Sequence, residues 1–188
     1  MVHLMRRTVL FALALGLSLA GISCGGGGPY GYTVKYRPTE TESANIEGAQ
    51  EFDPVMYGRR PEEWQKKKTM LFGVVTARAA AASGATRLTL SLRRLEPRNL
   101  CENMNDEGSC RVTVSEKEFG VVHALLKLSA ADDAGERSVG GSSLLRVVGT
   151  LVDSGSAEDT TPVLQGSFYR HWPRNTYVTN AKSELMRQ

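Results

Sequence analysis

The residues best suited to contact a ligand stand close together near the end of the chain, in a run of aromatic and arginine side chains. They are Tyr169, Arg170, His171, Trp172, Arg174 and Tyr177. Aromatic rings stack on flat partners, and arginine adds directional charged hydrogen bonds, so both types are enriched at binding hot spots. The same side chains could instead close the end of a domain, with the arginine stems covering the rings. The run therefore predicts a possible binding surface, with structural closure as the alternative.

The first residues form a signal-peptide pattern. Arg6 and Arg7 supply the positive charge, and residues 9–22 form an apolar run interrupted only by small residues. This run is shorter than the roughly twenty residues that a membrane-spanning helix needs. We therefore expect residues 1–23 to be a cleaved signal. Translation could begin at Met1 or at Met5.

The end of this signal resembles the lipobox of bacterial lipoproteins. The residues that carry the resemblance are Ser23 and Cys24, while Gly21 stands where the family prefers leucine. The resemblance implies that the sulfur of Cys24 is diacylated, for example with palmitate, and that Cys24 becomes the acylated N-terminus. Two or more acyl chains anchor a protein stably. An ordinary cleaved signal, which would leave Cys24 as a free or paired thiol, is the alternative.

The resemblance also implies a location. Gly25 is not the aspartate that retains enteric lipoproteins at the inner membrane. We therefore expect a lipid-anchored protein of the cell envelope, attached to the periplasmic leaflet of the outer membrane.

Two further cysteines, Cys101 and Cys110, flank a polar loop. An exported chain passes through an oxidising compartment, which favours a disulfide between them. The alternative is a metal site formed with nearby carboxylates, but histidine ligands and typical zinc spacing are missing. We predict the disulfide and no metal. The carboxylates of the alternative would be Glu102, Asp106 and Glu107.

The charge balance argues against a nucleic-acid-binding protein. The chain has 23 Lys and Arg and 20 Asp and Glu, so removal of Arg6 and Arg7 leaves 21 against 20. A nearly neutral chain lacks the overall basic footprint that phosphate binding requires. Nucleic acid is therefore an unlikely partner. The arginines that such a protein would use are Arg87, Arg93, Arg94, Arg111, Arg146, Arg170 and Arg174.

Catalytic motifs are also missing from the sequence. No serine stands in a nucleophile elbow, no HExxH occurs, and the glycines after Cys24 do not follow a strand. We therefore expect a noncatalytic protein without a cofactor. A hydrolase of the envelope that uses His123 or His171 is the alternative.

The remaining pattern predicts a tethered β domain. Residues 24–58 are rich in Gly, Thr, Glu and Pro and are predicted to be a flexible tether. Residues 59–180 form the domain and residues 181–188 a tail. Apolar alternation and buried runs predict strands over 70–78, 87–93, 110–114, 143–152 and 163–169, the first two forming a hairpin about Ser83 and Gly84.

One segment, residues 116–128, could be either a helix or a strand. Ser115 and Glu118 match a capping box, and Phe119, Val122 and Leu125 follow helical spacing, so a helix is predicted. A strand is the alternative because residues 121–128 are apolar almost throughout.

Five strands with one intervening helix predict a mainly β fold, a small five-stranded OB-like barrel. A signal, a tether and a small barrel are similar to Slp-type outer-membrane lipoproteins. We therefore expect a noncatalytic, membrane-anchored protein whose barrel binds an envelope protein or glycan. A nucleic-acid-binding OB domain and an envelope hydrolase are the alternatives.

Overall fold

A computed structural model describes residues 34–152 and 159–182. The predicted signal peptide, Cys24, the first part of the tether and most of the C-terminal tail lie outside the described residues. In the described part the elements follow in this order: α1 (Glu40–Ile46), β1 (Gln50–Glu51), α2 (Pro54–Arg59), β2 (Lys68–Ala80), β3 (Thr86–Arg93), β4 (Leu100–Cys101), β5 (Cys110–Val114), β6 (Val121–Leu126), α3 (Ala130–Asp133), β7 (Leu144–Val152), β8 (Val163–Trp172) and β9 (Tyr177–Thr179).

Five of these strands form a closed barrel. The order around the barrel is β2, β3, β6, β8 and β7, and β7 pairs again with β2. Only the pairing of β6 with β8 is parallel within this ring. The mainly β, five-stranded OB-like barrel that the sequence predicts is therefore confirmed.

The predicted hairpin forms the first two strands of that barrel. β2 and β3 pair antiparallel from Phe72–Arg93 to Ala80–Thr86. Ser83 and Gly84 both adopt positive φ in the turn between them. At Gly73 an added Cβ would lie 2.8 Å from the Cβ of Leu90, so a glycine lets the two strands approach across the core.

The third barrel strand is β6, and the helix predicted over residues 116–128 is wrong. Val122, Ala124 and Leu126 point into the core while the residues between them are more exposed, which is the period of a strand. The Ser115 hydroxyl accepts from the backbone N–H of Arg94 and is not used to cap a helix. Within the described residues, the α-helix between barrel strands is α3, which follows β6.

The strand predicted over 110–114 exists as β5, but it lies outside the barrel. β5 pairs with β4 and β9 in a separate three-stranded sheet. Cys101 and Cys110 are directly opposite each other across β4 and β5, at disulfide distance. The predicted cysteine pair thus links two neighbouring strands, β4 and β5, of this small sheet.

The predicted tether does not extend to residue 58. Within its described part, α1 and α2 are folded, Glu42 is 0% exposed and Phe52 is buried in the main core. Thr39 and Glu42 form a capping box that starts α1. We call residues 34–46 the N-terminal segment. Its polar composition suggested a tether because the sequence alone does not distinguish a buried, ion-paired glutamate from one in solvent.

The described part of the chain has two apolar cores. The main core fills the barrel and includes Leu88, Leu90, Val122, Leu145 and Leu164. The second core contains Phe72, Val114, Leu144 and Trp172, with Tyr36 and Tyr177 packed against it. Because Leu144 and Leu145 are consecutive on β7, the two cores lie on opposite faces of the barrel wall.

Candidate binding surface

The aromatic–arginine segment, residues 169–177, occupies the end of β8, a turn, and the start of β9. Along β8 its side chains alternate between the two faces of the barrel wall. Tyr169 and His171 are on the face of the main core, whereas Arg170 and Trp172 are on the face of the second core. The segment is therefore divided between three environments, each with different partners.

On the outer face Arg170 is paired with a buried carboxylate of the N-terminal segment. Glu42 receives hydrogen bonds from Arg170, from Arg146 at 2.7 Å and from the Tyr36 hydroxyl at 2.6 Å. The Arg170 guanidinium also lies 4.7 Å from the centroid of the Trp172 ring. Arg170 and Trp172 thus form an interface, but with another part of the same chain.

This cluster changes the titration of its members. Burial, the largest influence, raises the pKa of Glu42, but the hydrogen bonds from Tyr36, Arg146 and Arg170 outweigh it and lower the pKa below its ordinary value. Burial and the hydrogen bond to Glu42 raise the pKa of Tyr36. Glu42 therefore remains charged, and Tyr36 remains a hydrogen-bond donor, throughout the neutral range.

On the inner face His171 joins α3 to the start of β7. The Nδ1 of His171 is 2.7 Å from an oxygen of Asp132, and its Nε2 is 3.1 Å from the Ser143 hydroxyl. Because a carboxylate only accepts, Nδ1 carries the proton and Nε2 accepts from Ser143. Asp132 also accepts from Tyr169 at 2.7 Å. Asp132 thus links α3 to Tyr169 and His171 of β8, and His171 in turn contacts Ser143 just before β7.

Asp132, His171 and Ser143 are connected carboxylate to imidazole to hydroxyl, as the members of a serine-hydrolase triad are. Ser143, however, is only 2% exposed, and its hydroxyl also accepts from the backbone N–H of Gly140 at 3.2 Å. A nucleophile must reach its substrate, and this oxygen is enclosed. The arrangement in this structure therefore holds elements together and presents no open reaction site.

The carboxylate of this trio has a lowered pKa. Burial raises the pKa of Asp132, but hydrogen bonds from Tyr169, Ser129 and His171 outweigh it. Asp132 is consequently an ionised acceptor at neutral pH.

The last two of the predicted surface residues, Arg174 and Tyr177, line a pocket of about 210 Å³. Tyr177 also packs against the second core. The Tyr177 hydroxyl donates to the carbonyl of Ser142 at 3.0 Å. Burial, chiefly, raises the pKa of Tyr177, with a smaller opposing influence from Arg93. Of the six residues predicted as a binding surface, this pair shares one open cavity, and Tyr169 lines a separate one beside Leu126 and Gly166.

A second polar cluster was not recognised as a site from the sequence. On the outside of β3 and β6, the Nδ1 of His123 is 3.2 Å from the Thr89 hydroxyl and its Nε2 is 3.1 Å from Asp159. Arg87 also pairs with Asp159 at 3.0 Å. Hydrogen bonds from Thr161, and then from His123, lower the pKa of Asp159 despite its slight burial. The second and third strands of an OB barrel carry its usual ligand face, so the cluster occupies that position.

The arginines considered for nucleic-acid binding do not form one free basic face. Arg87 pairs with Asp159, Arg111 with Glu102, and both Arg146 and Arg170 with Glu42. Arg93 donates to the backbone carbonyl of Glu116, and Arg94 lies over the Phe119 ring.

Within residues 34–152 and 159–182, no three His, Cys, Asp or Glu side chains are grouped so as to hold a metal ion. In the same part of the chain, no helix has the length and apolar character needed to cross a membrane.

Comparison of the sequence with protein-family models and with curated proteins finds no significant match to either. The residues and their geometry therefore supply the whole argument for function.

Proposed function

We propose that this protein is a noncatalytic lipoprotein of the bacterial cell envelope, anchored through Cys24, whose barrel binds an envelope component or a protein partner. The observation that carries the proposal is the use of the three cysteines. Cys101 and Cys110 lie at disulfide distance in one small sheet, which leaves Cys24, the cysteine of the lipobox-like stretch, without a partner cysteine. A stabilising disulfide is typical of exported proteins.

The fold limits how far the barrel can reach from such an anchor. The described structure begins at residue 34, ten residues after Cys24. Ten residues span at most about 35 Å when fully extended. The barrel would therefore stay close to the membrane surface, where the partners within reach are lipid headgroups and other envelope proteins.

Replacement of the anchor residue tests the proposal. We expect Cys24→Ser to move the protein from the membrane fraction to the soluble periplasmic fraction, because the acyl chains supply the attachment. The matched control is the double variant Cys101→Ser/Cys110→Ser, which loses two cysteines but should remain with the membrane. Membrane attachment that persists in Cys24→Ser would count against acylation.

Intact mass of the membrane-extracted protein gives an independent measurement. We expect a chain that begins at Cys24, carries acyl chains and gains two hydrogens on reduction. A chain that retains residues 1–23, or that carries no lipid, would contradict the proposed anchor.

An envelope hydrolase is the alternative that one observation favours, namely the order of Asp132, His171 and Ser143. A fluorophosphonate reagent, which phosphonylates an activated serine with loss of fluoride, separates the two functions. We expect no labelling of the folded protein because Ser143 is enclosed. Labelling of wild type that is lost in both Ser143→Ala and His171→Ala would replace the binding function with a catalytic one.

A further inference from the structure

The pocket beside Arg174 has the composition of an anion site. Its polar lining consists of Ser142, Arg174, Asn175, Tyr177, Thr179 and Lys182. Two of these side chains are cationic and none of the lining residues is acidic. The pocket therefore presents positive charge and neutral hydrogen-bonding groups to anything that enters it.

The two cations have no polar side-chain partner in the part of the chain that the structure describes. Across residues 34–152 and 159–182, neither Arg174 nor Lys182 forms an ion pair or a side-chain hydrogen bond. Most neighbouring arginines do, since Arg111 pairs with Glu102 and Arg170 with Glu42. Two unpaired cations at one cavity repel each other, and an anion placed between them would remove that cost.

The walls of the pocket are fixed before any ligand arrives. The Tyr177 hydroxyl is bonded to the Ser142 carbonyl, and Arg111 donates to the Asn175 carbonyl at 3.1 Å. Ser142 and Asn175 both have φ of 68°, so each lies in a tight turn. A preformed site loses less conformational freedom on binding than a flexible one, which favours affinity for a small ligand.

The floor is also held in place through the small sheet. β9, which carries Tyr177 and Thr179, pairs in parallel with β5, and β5 is joined to β4 at the Cys101 and Cys110 pair. Charges just outside the lining occur with both signs: Arg93 lowers and Glu116 raises the pKa of Tyr177, and Arg111, which donates to the Asn175 carbonyl, pairs with Glu102. Among the described residues, the lining itself contributes the two positive charges of Arg174 and Lys182 and no negative charge.

We propose that this pocket binds a phosphate group, either free or carried by a small molecule or lipid headgroup. A guanidinium forms paired hydrogen bonds with phosphate oxygens, and a lysine adds a point charge, which together suit a dianion better than a single carboxylate. The volume, about 210 Å³, is below the roughly 300–1,000 Å³ of pockets for drug-sized ligands. The ligand is therefore a phosphate with few attached atoms inside the pocket.

This inference rests on the proposed binding function and specifies its ligand class. The anchor through Cys24 would place the pocket near phospholipid headgroups. A soluble phosphate could reach the pocket whether or not a membrane is nearby. The two sources share the same chemistry and differ in whether a membrane is needed.

Titration calorimetry with inorganic phosphate tests the site on the purified full chain in detergent. We expect wild type to bind phosphate and the double variant Arg174→Gln/Lys182→Gln to bind at least about tenfold more weakly, since charge-assisted hydrogen bonds are lost. The matched control is Lys127→Gln/Arg137→Gln, which removes two exposed positive charges outside the pocket and should bind as wild type does. Acetate provides a carboxylate comparison and should bind more weakly than phosphate.

A second measurement distinguishes the sources. The full chain with Cys24→Ser, which has no anchor, is sedimented with vesicles of phosphatidylcholine that contain or lack phosphatidic acid. Capture that requires phosphatidic acid and is lost in the Arg174 and Lys182 double variant assigns a headgroup, whereas phosphate binding without capture assigns a free ligand. Absence of phosphate binding and of capture in wild type, or equal binding by the double variant, overturns the proposal.

The intact mass of the detergent-purified wild type used for calorimetry reports acylation of Cys24 separately. A lipidated protein that does not bind phosphate would overturn the pocket and leave the anchor intact. An unlipidated protein that binds phosphate would do the reverse.

Discussion

Arg170 and Arg174 lie four residues apart in the same aromatic–arginine segment, but their environments are opposite. Arg170 is paired with the fully buried Glu42 and stacked on Trp172. Arg174 lines an open pocket and has no polar partner within the described residues. The composition that suggested a binding surface is therefore present at two places, and at one of them the binding partner is the chain itself.

The difference teaches that an arginine's neighbours in sequence do not decide whether it is available. The carboxylate that neutralises Arg170 comes from the N-terminal segment, 128 residues away. That carboxylate is 0% exposed, so its contact with Arg170 depends on the folding of the N-terminal segment against the barrel. Arg174, in contrast, is exposed to solvent.

The largest effect is expected from Glu42→Ala, which removes the buried carboxylate that pairs with Arg170. Its loss leaves Arg146, 5% exposed, as a buried charge without its carboxylate. We expect the free energy of unfolding to fall by about 3–5 kcal/mol, measured by urea denaturation. Glu40→Ala, an exposed glutamate in the same helix, is the matched control and should change stability by less than about 0.5 kcal/mol. A loss below about 1 kcal/mol for Glu42→Ala would show that the buried pair contributes little.

A smaller effect is expected from Asp132→Asn, which acts on the residue between the two arginines, His171. The substitution replaces the ionised acceptor of His171 and Tyr169, and we expect a loss of about 1–3 kcal/mol at pH 7. The pKa of Asp132 is lowered in the folded state, so the native protein binds fewer protons than the unfolded chain near pH 4. Stability from this group is therefore present above the ordinary pKa and is lost as the pH falls through the lowered one.

The pH dependence of stability provides the control for the Asp132→Asn prediction. Urea midpoints of wild type should fall as the pH is lowered below about 4, the ordinary pKa of an aspartate. Asp132→Asn should flatten this fall, because an amide does not titrate. A variant with the same slope as wild type would mean that Asp132 does not contribute to the acid sensitivity.

The smallest effect on stability is expected from Arg174→Gln, which sharpens the comparison. Because this side chain has no partner in the described structure, we expect a change within about 0.5 kcal/mol. Arg170→Gln is the matched variant in the same segment, and it should be clearly destabilising because Glu42 loses one of its two cations. Equal losses for the two variants, measured by urea denaturation under the same conditions, would contradict the difference in pairing.

Features that depend on neighbouring residues could be predicted from the sequence. Leu88, Leu90 and Leu92 alternate with polar residues, and a Ser-Gly turn precedes them, so the β2–β3 hairpin was predicted correctly. The pairing of Cys101 with Cys110 has the same local origin, since only a short loop separates them. Four of the five barrel strands, β2, β3, β7 and β8, were predicted from such segments, whereas the fifth predicted strand, residues 110–114, lies outside the barrel as β5.

Features that depend on distant residues could not. The segment now seen as β6 has helical spacing as well as alternation, and only its pairing with β3 and β8 selects the strand. The N-terminal segment was predicted as a tether because nothing near Glu42 indicates the two arginines that bury it. For the same reason the sequence identified the residues of the candidate surface but not which of them remain open.

The closure of the barrel has a consequence for how the chain folds. β2 must pair with β7, more than seventy residues later, and β6 must pair in parallel with β8, which ends at Trp172. Contacts so distant in sequence slow folding, because the entropy of the intervening chain is lost before the contacts form. The barrel cannot close until the strand ending at Trp172 is present, so closure of the ring requires nearly the whole of the described chain.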